Sequence, residues 1–134
     1  MLILIRQSYA PKLFFVNSYM NMKGIEKMYK IVKKKVLNPT VTLMEIDAPL
    51  IAKKAEPGQF IILRVDENGE RIPLTVAGYD REAGTVRIIF QIVGATTEKL
   101  NHLEEGDCIH DFVGPLGVPT HTDGLKKVCV VGGG

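Results

Sequence analysis

The chain has 134 residues, room for one ordinary domain or one domain with an appendage. With 46% hydrophobic and 24% charged residues it is not a disordered chain, and a net charge of +2 gives no case for nucleic-acid binding. No apolar run approaches the roughly 20 residues that span a bilayer. Cys108 and Cys129 make neither a CxxC pair, a zinc set nor a disulfide framework, so the expected setting is a reducing cytoplasm.

Residues 1–27 carry Arg6, Lys12, Lys23 and Lys27 against Glu26, a net of +3, which leaves −1 for residues 28–134. They hold no clean period of 2 or 3.6 and match a signal peptide poorly, because the apolar start precedes the charge. They are expected to be a mobile N-terminal extension, with the domain beginning near Met28. From there the pattern reads as β. Met28–Leu37 is a candidate strand, Asn38–Pro39 turns it, and Thr40–Ile46 returns. Asp47-Ala48-Pro49 stops that strand, and Leu50–Ala55 reads as a short connection. Pro57–Gly58 then leads into Gln59–Val65.

Asp66-Glu67-Asn68-Gly69 is the clearest hairpin signal. Asn-Gly suits a type I′ turn between Phe60–Val65 and Arg71–Ala77. Pro73 marks the second of these strands as an edge or an irregularity. After Asp80–Gly84, Thr85–Val93 is the strongest strand. Gly94 ends it, and Ala95–Leu103 is the one convincing short helix, capped by Thr96 or Thr97. Cys108–Val113 is a sixth strand, and Gly114-Pro115-Leu116-Gly117 turns out of it.

Six short antiparallel strands at this spacing, with one helix, predict an all-β fold, a small closed barrel. Lys127–Val131 followed by Gly132-Gly133-Gly134 is of another type. It reads as the first strand and glycine loop of a Rossmann-like unit. The expected organisation is therefore an extension at 1–27, a barrel domain at 28–118, and a linker at 119–134 with the first strand of a truncated nucleotide lobe.

Four segments stand in order: PGQF at Pro57–Phe60, RIPLTV at Arg71–Val76, VGATTEKL at Val93–Leu100 and GPLG at Gly114–Gly117. VCVVGGG at Val128–Gly134 follows. This ordered set resembles the ferredoxin–NADP reductase superfamily. Within it the match is to electron-transfer subunits of dihydroorotate dehydrogenase and to small subunits of NADH-dependent ferredoxin:NADP oxidoreductase. The resemblance covers about residues 28–134 and implies a Greek-key barrel that binds FAD.

By that resemblance Arg71 holds the FAD pyrophosphate through forked, charge-assisted hydrogen bonds. Thr75 lies against the isoalloxazine near its N5/O4 edge, and Pro73, Leu74 and Val76 shape the apolar bed of the ring. Leu74 departs from the plant-type pattern, which has an aromatic before the Ser or Thr. Gly94, Ala95, Thr96 and Thr97 supply amides and hydroxyls to the pyrophosphate at a helix start. Gln91 and Val93 line the adenosine or ring pocket. Taken alone, each segment also has an ordinary reading: a solvated hairpin arginine, and a strand-to-helix turn with a threonine cap.

The resemblance further implies an NAD(P)H-dependent oxidoreductase component passing electrons between NAD(P)H, FAD and a partner. That partner is a larger flavoprotein or dehydrogenase catalytic subunit, or ferredoxin. NAD(P) and a [2Fe–2S] cluster belong to the full-length relative. With two cysteines, both expected in strands as buried hydrophobes, this chain is not expected to hold a cluster. No side chain is expected to act as an acid or base, and His102, His110 and His121 lack ligand spacing. The competing reading is a non-enzymatic barrel that binds a partner, or an inactive fragment of the reductase.

Overall fold

A computed structural model describes residues 28–132. What was expected of residues 1–27 lies outside them. Seven strands form: β1 (Tyr29–Asn38), β2 (Val41–Asp47), β3 (Phe60–Arg64), β4 (Arg71–Asp80), β5 (Thr85–Gln91), β6 (Cys108–Ile109) and β7 (Asp111–Leu116). Two short helices accompany them, α1 (Pro49–Ala52) and α2 (Ala95–Asn101).

Period-2 alternation decides the faces. In β2, Thr42, Met44 and Ile46 turn inward; in β5, Val86, Ile88 and Phe90; in β3, Ile61 and Leu63. With Ile31, Ile109 and Phe112 they form one continuous core, closed by Leu100 from α2 and by Ile51 and Ala52 from α1.

The strand order is β6-β1-β2-β5-β4-β3-β7, and every neighbouring pair is antiparallel. β5 lies beside β2, and the chain reaches β3 from β2 through α1, which is a Greek-key arrangement. The two ends of the order, β6 and β7, are separated only by His110. The sheet therefore curls on itself and becomes an almost closed barrel. The expected single strand Cys108–Val113 is divided because its first part pairs with β1 and its second with β3.

Four further expectations are corrected. The β3–β4 connection is not a type I′ turn. Positive φ occurs at Gly58, Gly84, Gly106, Gly117 and Gly124, and neither Asn68 nor Gly69 has it. With six residues between the strands, the chain closes an ordinary turn instead. The Gly69 amide donates to the Asp66 carbonyl at 3.0 Å, and the Asn68 amide to the Asp66 carboxylate at 3.1 Å. The Leu50–Ala55 connection contains α1, started by Pro49 at its first turn.

GPLG is not a turn throughout, since Gly114 to Leu116 continue β7 and only Gly117 leaves the ladder. Finally, residues 127–131 form no strand, and Val130 and Val131 are 89% exposed. A strand exists only as a member of a ladder, and among the described residues nothing pairs with this segment. Cys129 is accordingly exposed and Cys108 half-buried, so neither is the buried hydrophobe expected.

Candidate functional site

Pro73 explains the shape of the site. It cannot donate to a ladder, and the two halves of β4 pair with different neighbours. Val76–Asp80 pairs with β5, whereas Arg71–Thr75 pairs with β3 alone. The other edge of Arg71–Thr75 faces no strand among the described residues.

Side chains of this half-strand alternate. Arg71, Pro73 and Thr75 stand on the outer, exposed face, while Ile72, Leu74 and Val76 pack into the core. Registers carry three rows across β4, β3 and β7. Arg71 lies opposite Arg64, and Arg64 opposite Asp111; Pro73 opposite Ile62, and Ile62 opposite Val113; Thr75 opposite Phe60, and Phe60 opposite Leu116. The outer face thus grades from charged to apolar over four residues of strand, about 13 Å.

In the charged row, one carboxylate serves two guanidinium groups. Arg64 Nε donates to Asp111 Oδ2 at 2.7 Å and Arg71 Nη2 to the same oxygen at 3.1 Å. His110 Nδ1 lies 3.2 Å from Asp111 Oδ1. Burial pushes the Asp111 carboxyl up, but hydrogen bonds from Arg64 and His110 outweigh it and leave it below its ordinary value. Burial, then the charge of Asp111, raises the nearby Tyr29 phenol.

α2 brings the second segment to the same end. Its first amides have no intrahelical acceptor. Thr97 closes the turn itself: its Oγ1 accepts from the Val93 and Gly94 amides at 3.0 and 3.1 Å and donates to the Gly94 carbonyl at 2.9 Å. The Thr97 hydroxyl is engaged on both sides in capping this turn. Thr96 Oγ1 donates to Glu70 Oε2 at 3.1 Å, and Lys99 pairs with Asp66. The Lys99 bond holds the Asp66 carboxyl below its ordinary value. These two links tie α2 to the start of β4, beside Arg71. Gln91 and Val93 are exposed on the approach to α2, Val93 at 76%.

Gly94 has φ −175°, a conformation any residue adopts, and a Cβ there would meet nothing. Neither backbone nor packing calls for glycine at this position. Gly58 is the opposite case. Its φ is +87°, and a Cβ would lie 2.2 Å from Thr120 Oγ1. The Thr120 amide donates to the Pro57 carbonyl at 2.8 Å and Gln59 Nε2 to the Gly117 carbonyl at 2.9 Å, so PGQF clamps the chain leaving the barrel. PGQF and GPLG therefore meet in space as a structural pair. Asp111 and Arg64 were missed by sequence reasoning, because their importance lies in a register that joins positions 64, 71 and 111.

No family model matches the chain. A protein of Clostridium beijerinckii, described as uncharacterized and encoded in the adh 3′ region, is 56% identical over 114 residues, covering 79% of this chain and 38% of that one. The dihydroorotate dehydrogenase B (NAD(+)) electron transfer subunit homolog of Thermotoga maritima is 46% identical over 111 residues, 83% of this chain and 39% of that one. Among solved structures, an NADH-dependent reduced ferredoxin-NADP oxidoreductase, described in connection with flavin-based electron bifurcation, superposes with a TM-score of 0.69 at 44% identity. It covers 74% of this chain and 36% of that one.

The chain is similar in sequence to the electron-transfer subunits of dihydroorotate dehydrogenase, and its barrel has the ferredoxin–NADP reductase-like fold. It spans about two fifths of the length of the curated relatives it matches. Among the described residues, no helix is long and apolar enough to cross a membrane.

Proposed function

We propose that this chain is the FAD-holding part of an NAD(P)H-dependent electron-transfer oxidoreductase. The observation that carries the reading is the graded outer face: a cationic row at Arg71, an apolar row at Pro73 and Ile62, and Thr75 beside Phe60 at the far end. A molecule with a dianionic middle and a flat, largely apolar ring matches that order. The side-chain-free space at Gly94, which the fold itself does not use, supports a ligand backbone passing close to α2.

In this reading Arg71 grips the pyrophosphate, and the amides of Ala95 and Thr96 face its other side. Gly94 keeps the approach clear. Pro73 supplies an apolar contact to the ring, and Thr75 stands at its N5/O4 edge. Leu74 and Val76 contribute through the backbone, since their side chains fill the core. The open edge of Arg71–Thr75 offers further amides and carbonyls. Gln91 and Val93 border the adenosine end. When bound, FAD supplies hydride and single-electron chemistry, and the protein's part is to bind and orient it.

The remaining functions follow the relatives. Electrons pass between NAD(P)H, bound outside the barrel, and a larger catalytic subunit or ferredoxin, in the cytoplasm. The test is a titration of the chain with FAD, followed by flavin fluorescence. Wild type should bind saturably. Arg71→Ala should weaken binding by about tenfold to a hundredfold, the loss of a charge-assisted hydrogen bond. A folded wild-type chain that ignores FAD would overturn the reading and favour a partner-binding barrel.

A further inference from the structure

The cationic row holds a residue that the flavin reading does not use. Arg64 and Arg71 lie directly opposite each other on β3 and β4, an arrangement that repels. Asp111, opposite Arg64 on β7, resolves it with one oxygen bonded to both groups. The two arginines are not equivalent. Arg64 is 18% exposed and also donates Nη1 to the Glu67 carbonyl at 2.8 Å, so it is held at two points. Arg71 is 61% exposed and bonded to Asp111 by Nη2.

Arg64 thus neutralises Asp111, and the row keeps one net positive charge on the side chain that faces outward. We infer that Asp111 is a positioning residue: it fixes the Arg71 guanidinium over the outer face so that its remaining donors meet the ligand pyrophosphate. This rests on the flavin reading and deepens it. A guanidinium on a flexible stem loses rotamer freedom when it grips an anion, and a fixed one has already lost it.

The sign of one substitution separates positioning from charge. If Asp111 merely reduced the positive potential, Asp111→Asn would tighten FAD binding. If it positions Arg71, Asp111→Asn weakens binding, by about fivefold or more. Asp111→Glu keeps the charge and moves the carboxylate by one methylene, and it should weaken binding in the same direction. In the Arg71→Ala background, Asp111→Asn should change affinity by less than about twofold, since its effect acts through Arg71.

The measurement is FAD titration of the full chain and these variants, with circular dichroism as the folding control. Tighter or unchanged binding in Asp111→Asn and Asp111→Glu overturns the inference, as does full additivity with Arg71→Ala. So does unfolding of both variants, which would make Asp111 structural only. If Arg71→Ala itself binds FAD as wild type does, the assignment of Arg71 fails instead, and the two failures are distinct.

Discussion

At the scale of single residues, chemistry and packing separate cleanly on β4. Alternate positions of one half-strand serve two purposes: Ile72, Leu74 and Val76 fill the core, while Arg71, Pro73 and Thr75 are presented outward. The RIPLTV segment was legible as a strand interrupted by Pro73, but its division between two faces was not, because it depends on which face the neighbours bury. Gly94 gives the sharpest single-residue prediction. Asparagine is a good N-cap, so Gly94→Asn should leave stability within about 0.5 kcal/mol. The added side chain enters space that the fold leaves empty. FAD affinity should therefore fall while the melting temperature stays put. A variant that loses both would show that glycine is needed for folding.

At the scale of elements, α2 is the part that needs the barrel most. Seven residues are too few for a helix to stand alone in water. Leu100, fully buried, is its one buried side chain, and Thr42 Oγ1 donates to Asn101 Oδ1 at 2.7 Å from inside β2. Leu100→Ala should cost about 2–5 kcal/mol. It should also weaken FAD binding, because α2 carries Gly94–Thr96 to the site. Denaturant titration with and without FAD measures both. The helix was readable from its threonines and its position after Gly94. The turn before β4 was not read correctly: Asn-Gly invites a two-residue turn, but six residues lay between the strands and Asp66 closed the loop otherwise.

At the scale of the whole molecule, closure is uneven. β2 and β5 share seven paired residues, whereas the β1–β6 seam has two. That seam is reinforced by Ile31 N to Asp107 O and Gly106 N to Ile31 O, both 2.8 Å. Amide hydrogen exchange should accordingly be slowest at Leu43–Ile46 and Val86–Ile89, and should report opening at the β1–β6 seam first. Equal protection at the two places would mean that the barrel opens only as one unit.

The sequence by itself determined the strand count within one, the antiparallel barrel, the α2 position and the ordered segments in which the chain resembles the ferredoxin–NADP reductase superfamily. These follow from local alternation, turn residues and spacing, which a linear pattern records. Only the tertiary structure decided that one run becomes two strands at His110, that PGQF grips the exit of GPLG, and that Arg64, Arg71 and Asp111 form one row. Those outcomes depend on register between strands far apart in the chain. Register is set by collective burial and hydrogen bonding rather than by any local signal.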